Sequence, residues 1–209
     1  MPTIESALRG AQRAFDAAGD ASRDALGEPV VENMLAAYDY IDALAAQRID
    51  PLAMGQVRHL LELNALVLCG ADARRRASYA EHLRATERRF YEEREAGVGD
   101  LVETMALHLG DDPFERAATA YIRMLARPQL FIEGNHRTGT LVIGCVLLLA
   151  GEPPFVLSAG NAEAYFAASA GFRELDKHGF GAMLRAPGLR RHFAQFLRAE
   201  ARAEYLCHA

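Results

Sequence analysis

The sequence predicts an all-α protein, and three observations carry that prediction. Apolar residues recur at three- and four-residue steps through most of the chain, strand-like alternation is scarce, and helix punctuation divides the periodic stretches. The clearest marks are Asp50-Pro51, Asp112-Pro113, Pro128 and Pro153-Pro154. Proline suits the first turn of a helix and breaks its interior, so each mark separates two helices.

Residues 1–29 read as an N-terminal helical extension and 30–209 as the main domain. From Val30 onward, Val31, Leu35, Tyr38, Ile41, Leu44 and Ala45 form one apolar stripe. Asp50 then reads as the cap of a second helix from Leu52, which carries Val57, Leu60, Leu61 and Leu63 and ends at Gly70. Helical stretches follow over 74–95 and 100–109, separated by a turn at "AGVGD". Asp112-Pro113 opens the next helix, whose face is Phe114, Ala117, Ala118, Tyr121, Ile122 and Leu125. Pro128 stops it. A nearly pure hydrocarbon stretch, Leu141 to Ala150, predicts a helix buried on all sides at the centre of the fold. "SAGNAEAYFAAS", with Ser158 as its cap, and C-terminal helices up to "LRRHFAQFLRAEARAEYL" complete the chain.

Composition narrows the function classes. At 209 residues, 51% hydrophobic and 24% charged, the chain can bury a good core. A net charge of -5 argues against nucleic acid as the partner, because a phosphate backbone calls for a basic face. The basic run Arg74–Arg76, followed closely by glutamates, reads as a solvated helix face laced with ion pairs. The longest apolar run is too short to cross a bilayer, and no basic start followed by an apolar segment marks a secretory signal. Cys69, Cys145 and Cys207 are odd in number, far apart and without metal-ligand spacing. Reduced structural thiols in a cytoplasmic protein are therefore expected, with no membrane partner.

The chemistry concentrates in "PQLFIEGNHRTGTLVIG". Gly134 and Asn135 favour a tight loop, and the helix expected to start near Arg137 begins with unpaired backbone N–H groups that attract an anion. Arg137 can fork onto phosphate oxygens, and Glu133 is a hard oxygen ligand suited to Mg2+. The residues thus predict a site for a nucleotide or another phosphorylated small molecule. A plain surface turn with a capped helix is the alternative.

"LFIEGNHRTG" resembles the signature of the Fic (Fido) family, H-P-F-x-[DE]-G-N-G-R-x-x-R. Phe131, Glu133, Gly134, Asn135 and Arg137 match it, and the flanking helices resemble those of the family over roughly 30–157. The resemblance implies a Fic-like helical domain with its central helix following the motif loop. It also implies ATP and Mg2+ as cofactors, Glu133 as the metal ligand, and a phosphate cradle over Gly134, Asn135, His136, Arg137, Thr138 and Gly139. Most members transfer AMP to a hydroxyl of a target protein. Relatives in the Doc branch phosphorylate, and others transfer UMP or phosphocholine.

The departures are chemically important. Gln129 stands at the position of the family's catalytic base, and an amide has no useful basicity. Leu130 replaces the usual proline, His136 the second glycine, and Thr140 the last arginine. His136 is the candidate substitute base, although the loop sets it several residues away. No hairpin for target docking is evident between Gly70 and Gly110. "EPVVEN" only partly resembles the family's inhibitory helix, whose partner arginine Thr140 has removed. The expectation is a divergent Fic-fold protein that binds a nucleotide or other phosphorylated ligand, with weak, altered or lost AMP-transferase activity. An active transferase with a non-standard base and a non-catalytic helical interaction module are the alternatives.

Overall fold

A computed structural model describes residues 3–18 and 27–206, so Cys207 and His208 lie outside the described residues. Ten α-helices and two short 3-10 turns account for the regular structure, and no strand occurs among the described residues. The all-α prediction holds.

Helix α1 (Ile4–Ala18) covers most of the expected N-terminal extension. It packs on α2 (Glu28–Ala46), where Ala7 and Leu8 join the core and Arg9 bridges to Glu28 at 2.7 Å. On α2 the buried stripe is Val31, Met34, Ala37, Tyr38, Ile41 and Leu44; of the predicted positions Val31, Tyr38, Ile41 and Leu44 belong to it, and Leu35 and Ala45 are half-buried.

The next helix, α3 (Arg58–Cys69), starts later than expected. Asp50 does cap, but it caps a turn: its Oδ1 accepts the Leu52 N–H at 2.9 Å and its Oδ2 takes Arg116 at 2.6 Å. The chain then winds through further turns before α3 begins. Gly70 ends α3 with φ +69°, a conformation that favours glycine. The stretch expected over 74–95 is two helices, α4 (Ala73–Ser78) and α5 (Ala80–Glu92), separated at Tyr79. The ion pairs expected of the basic run are made elsewhere. Arg76 forks onto Glu62 of α3 and bonds the Gly70 carbonyl, and Arg75 lies 3.9 Å from Glu32.

α6 (Val98–Leu107) and α7 (Pro113–Leu125) follow. Asp112 caps α7 by accepting from Phe114 N and Glu115 N, and all six apolar residues predicted for its inner face are buried. α8 (Asn135–Leu149) begins two residues before Arg137, earlier than expected. Every residue from Leu141 to Leu147 is buried, so the helix is enclosed on all sides as predicted. It packs against α7, α2 and α3.

α9 (Ala162–Ser169) is not capped by Ser158. Instead Asn161 Oδ1 accepts the Ser158 N–H at 2.8 Å and closes the turn that leads into the helix. α10 (Phe180–Glu200) lies against α7 and α9. Cys69 and Cys145 are buried free thiols, and burial pushes Cys145 up to about 12, so it stays protonated. No helix among the described residues is long and apolar enough to cross a membrane.

Candidate functional site

The loop between α7 and α8 is held from both sides. Phe131 is buried and stacks on Phe90 of α5, with ring centroids 5.8 Å apart and planes 5° from parallel. Asn135 turns its side chain back onto the loop, accepting from Phe131 N at 2.9 Å and donating to Phe131 O at 2.8 Å. From α3, buried Asn64 donates to Glu133 O at 2.9 Å and to Thr138 Oγ1 at 3.1 Å. Gly134, the residue before the helix, has φ +77° and ψ +10°, and a Cβ there would lie 3.0 Å from Asn64 Nδ2. Glycine is favoured on both counts.

This arrangement holds the start of a core helix in place. The ladder of α8 begins with Thr138 N donating to Gly134 O at 2.9 Å, so the amides of residues 135–137 precede it. Above them is an open cleft of about 530 Å³. Its walls include Gln129, Glu133, Gly134, Asn135, His136 and Arg137, which are the predicted loop residues.

Thr138 and Gly139 do not belong to it. Thr138 is fully buried and bonded to Asn64, and a Cβ on Gly139 would lie 2.6 Å from the Tyr121 ring. Of the residues predicted over 134–139, positions 134–137 line the cleft, whereas 138 and 139 pack against Asn64 and Tyr121.

Three further arginines line the cleft that the motif does not contain: Arg89 from α5, Arg127 from the end of the α7 segment, and Arg173. Arg89 donates to Gln129 O at 2.8 Å, which ties α5 to the loop. Arg127 is set by backbone pairing with the 175–177 segment, through Arg127 N to Leu175 O at 2.7 Å and Lys177 N to Arg127 O at 2.8 Å. Four arginines and one carboxylate, Glu133, therefore line this cleft in a protein of net charge -5. Arg127 lies two residues before Gln129, so adjacency to the motif was a usable signal. Arg89 precedes Gln129 by 40 positions and Arg173 follows Arg137 by 36, and only the fold brings them there.

Gln129 lines the cleft, and its Oε1 accepts from Asn135 Nδ2 at 3.3 Å. The amide thus serves the loop structurally. His136 lines the same cleft and is bonded through Nδ1 to the Tyr121 hydroxyl at 2.7 Å. Tyr121 meets the hydroxyl of Tyr165, which lies 3.0 Å from Thr140 Oγ1. Burial raises the pKa of both tyrosines, so they remain neutral phenols.

Glu133 is exposed on the cleft, and no group of three or more metal-capable side chains occurs among the described residues. One carboxylate suits Mg2+ when phosphates and waters supply the remaining oxygens. The segment between Gly70 and Gly110 is helical over α4, α5 and α6 and holds no hairpin among the described residues. Glu32 of the partial "EPVVEN" motif lies by Arg75. No protein-family model matches the chain, and a search of curated proteins finds no match.

Proposed function

We propose that this chain is a divergent Fic-fold protein that binds a nucleotide or another phosphorylated small molecule over residues 133–137. In this reading AMP-transferase activity on a target protein is weak, altered or lost. One observation carries the proposal: four arginines and a helix start converge on one cleft of a protein that is acidic overall. Guanidiniums fork onto phosphate oxygens, and a helix N-terminus adds oriented N–H dipoles.

Glu133 would hold Mg2+ against the phosphates, where the ion supplies positive charge to neutralise theirs. Gln129 occupies the base position of the family signature. A group without basicity forfeits about 10²–10⁴ in rate there.

Thermal unfolding with ATP and Mg2+, and separately with UTP, GTP and phosphocholine donors, tests the reading. A ligand at about 100 times its Kd stabilises the fold by roughly 2.7 kcal/mol. The shift should shrink in Arg137→Ala and in Arg173→Ala. Arg173 is exposed, so its removal leaves the core intact. No shift with any of these compounds would leave the helical interaction module as the better account.

A further inference from the structure

We propose that Arg127 and Arg173 form a second phosphate-binding wall outside the motif loop, so that the cleft selects its ligand by the length of a phosphate chain and not by a base. This narrows the phosphate-binding reading above, on which it rests. Both arginines line the cleft, and both are exposed. Neither forms an ion pair with a carboxylate among the described residues. Their charge is therefore available to an anion that enters the cleft.

The backbone under both side chains is held. Arg127 N donates to Leu175 O at 2.7 Å, and Lys177 N donates to Arg127 O at 2.8 Å. From α7, Arg123 donates to Lys177 O at 3.3 Å, and Asp100 of α6 accepts from Arg123 Nε at 2.7 Å. Arg173 lies in the short turn Phe172–Glu174. Phe172 is fully buried there, its ring 5.1 Å from that of Phe193 and 5.9 Å from that of Tyr121. Guanidiniums on a held backbone lose less freedom on binding, and their fork suits phosphate oxygens.

The cleft thus offers an anion two places, the helix start at residues 135–137 and this wall. A single phosphate can occupy one of them, whereas successive phosphates of a chain can occupy both. Little in the lining would read a base. The one benzene ring among the lining residues, Phe131, is 1% exposed and stacked on Phe90. Stacking of a base on an exposed aromatic ring is worth about five- to 150-fold in affinity. The ligand class is therefore a phosphate chain: nucleoside di- and triphosphates of any base, and inorganic polyphosphate. Nucleoside monophosphates and phosphocholine fall outside it.

Calorimetry on the full chain in Mg2+ buffer, with AMP, ADP, ATP, GTP, UTP and inorganic tripolyphosphate, tests this. The Kd should fall by about tenfold or more from AMP to ADP, because the added phosphate gains charge-assisted hydrogen bonds. ATP, GTP, UTP and tripolyphosphate should agree within about fivefold, the low end of what a stacked base contributes. Arg127→Gln combined with Arg173→Gln should reduce the preference for ATP over AMP by about tenfold or more. Thermal unfolding checks that this double variant folds, and Arg173→Gln alone serves if it does not.

Three results would overturn the proposal while leaving phosphate binding at the loop intact. They are equal Kd values for AMP and ATP, discrimination among the bases beyond the fivefold range, and an unchanged preference for ATP over AMP in the folded variants. Binding of none of the six compounds instead removes the phosphate reading itself.

Discussion

Asn135 grips the Phe131 peptide from both ends, with Oδ1 accepting its N–H at 2.9 Å and Nδ2 donating to its carbonyl at 2.8 Å. That pair of bonds closes the loop against the helix start. Both partners are buried, so water cannot replace the side chain.

Asn135→Ala leaves the Phe131 N–H and carbonyl unpaired. Each buried group without a partner costs about 1–3 kcal/mol, so a loss of about 2–6 kcal/mol is expected from urea unfolding. Alanine's better helix propensity recovers less than 1 kcal/mol of that. An unchanged midpoint would show that the clamp is not needed.

Gly139→Ala should destabilise by about 1–3 kcal/mol, because the added carbon lies 2.6 Å from a buried ring. The gain from removing a helical glycine, about 1 kcal/mol, does not offset it. Gly144→Ala on the same helix is the control. Its new carbon meets Ile41 Cδ1 at 3.0 Å, the end of a flexible side chain, so a change within about 1 kcal/mol is expected. Equal effects at the two positions would refute the packing argument.

Lys177, the chain's single lysine, has a side chain only 1% exposed, 3.9 Å from Asp100. Burial, partly opposed by Asp100, pushes its pKa down from 10.5 to about 8. Below pH 8 the amine is charged in both the folded and unfolded states. Between about pH 8 and 10.5 the unfolded chain holds a proton that the folded chain has released, so this group makes stability rise with pH. Relative to Lys177→Met, the parent chain should gain on the order of 3 kcal/mol across that window. The comparison also cancels the opposing effect of buried Tyr38 and Cys145, whose raised pKa values lower stability at high pH. Parallel stability curves for the two chains would contradict the lysine's burial as a charged group.

Gln129→His is expected not to restore full AMP transfer. The substitution removes the Oε1 that Asn135 bonds, and Leu130 remains buried in the core where the family signature has proline. Robust transfer from labelled ATP by this single variant would disprove that expectation.

Much of the architecture was readable in one dimension because helical periodicity is local. The stripes of α2 and α7 and the all-round apolar character of α8 follow from spacings within single segments. The sequence by itself determined the all-α class, the central helix and the loop before it. Helix starts were less legible, as at Arg58 and Ala162, because carboxylate and amide side chains close turns as readily as they cap helices. Only the tertiary structure decided which residues share the cleft and which buried hydroxyls meet. Arg89 and Arg173 arrive from distant segments, and Tyr121 and Tyr165 meet across 44 positions. A cleft's charge and the partners in a hydrogen-bond chain depend on distances between helices, and no spacing along the chain encodes those distances.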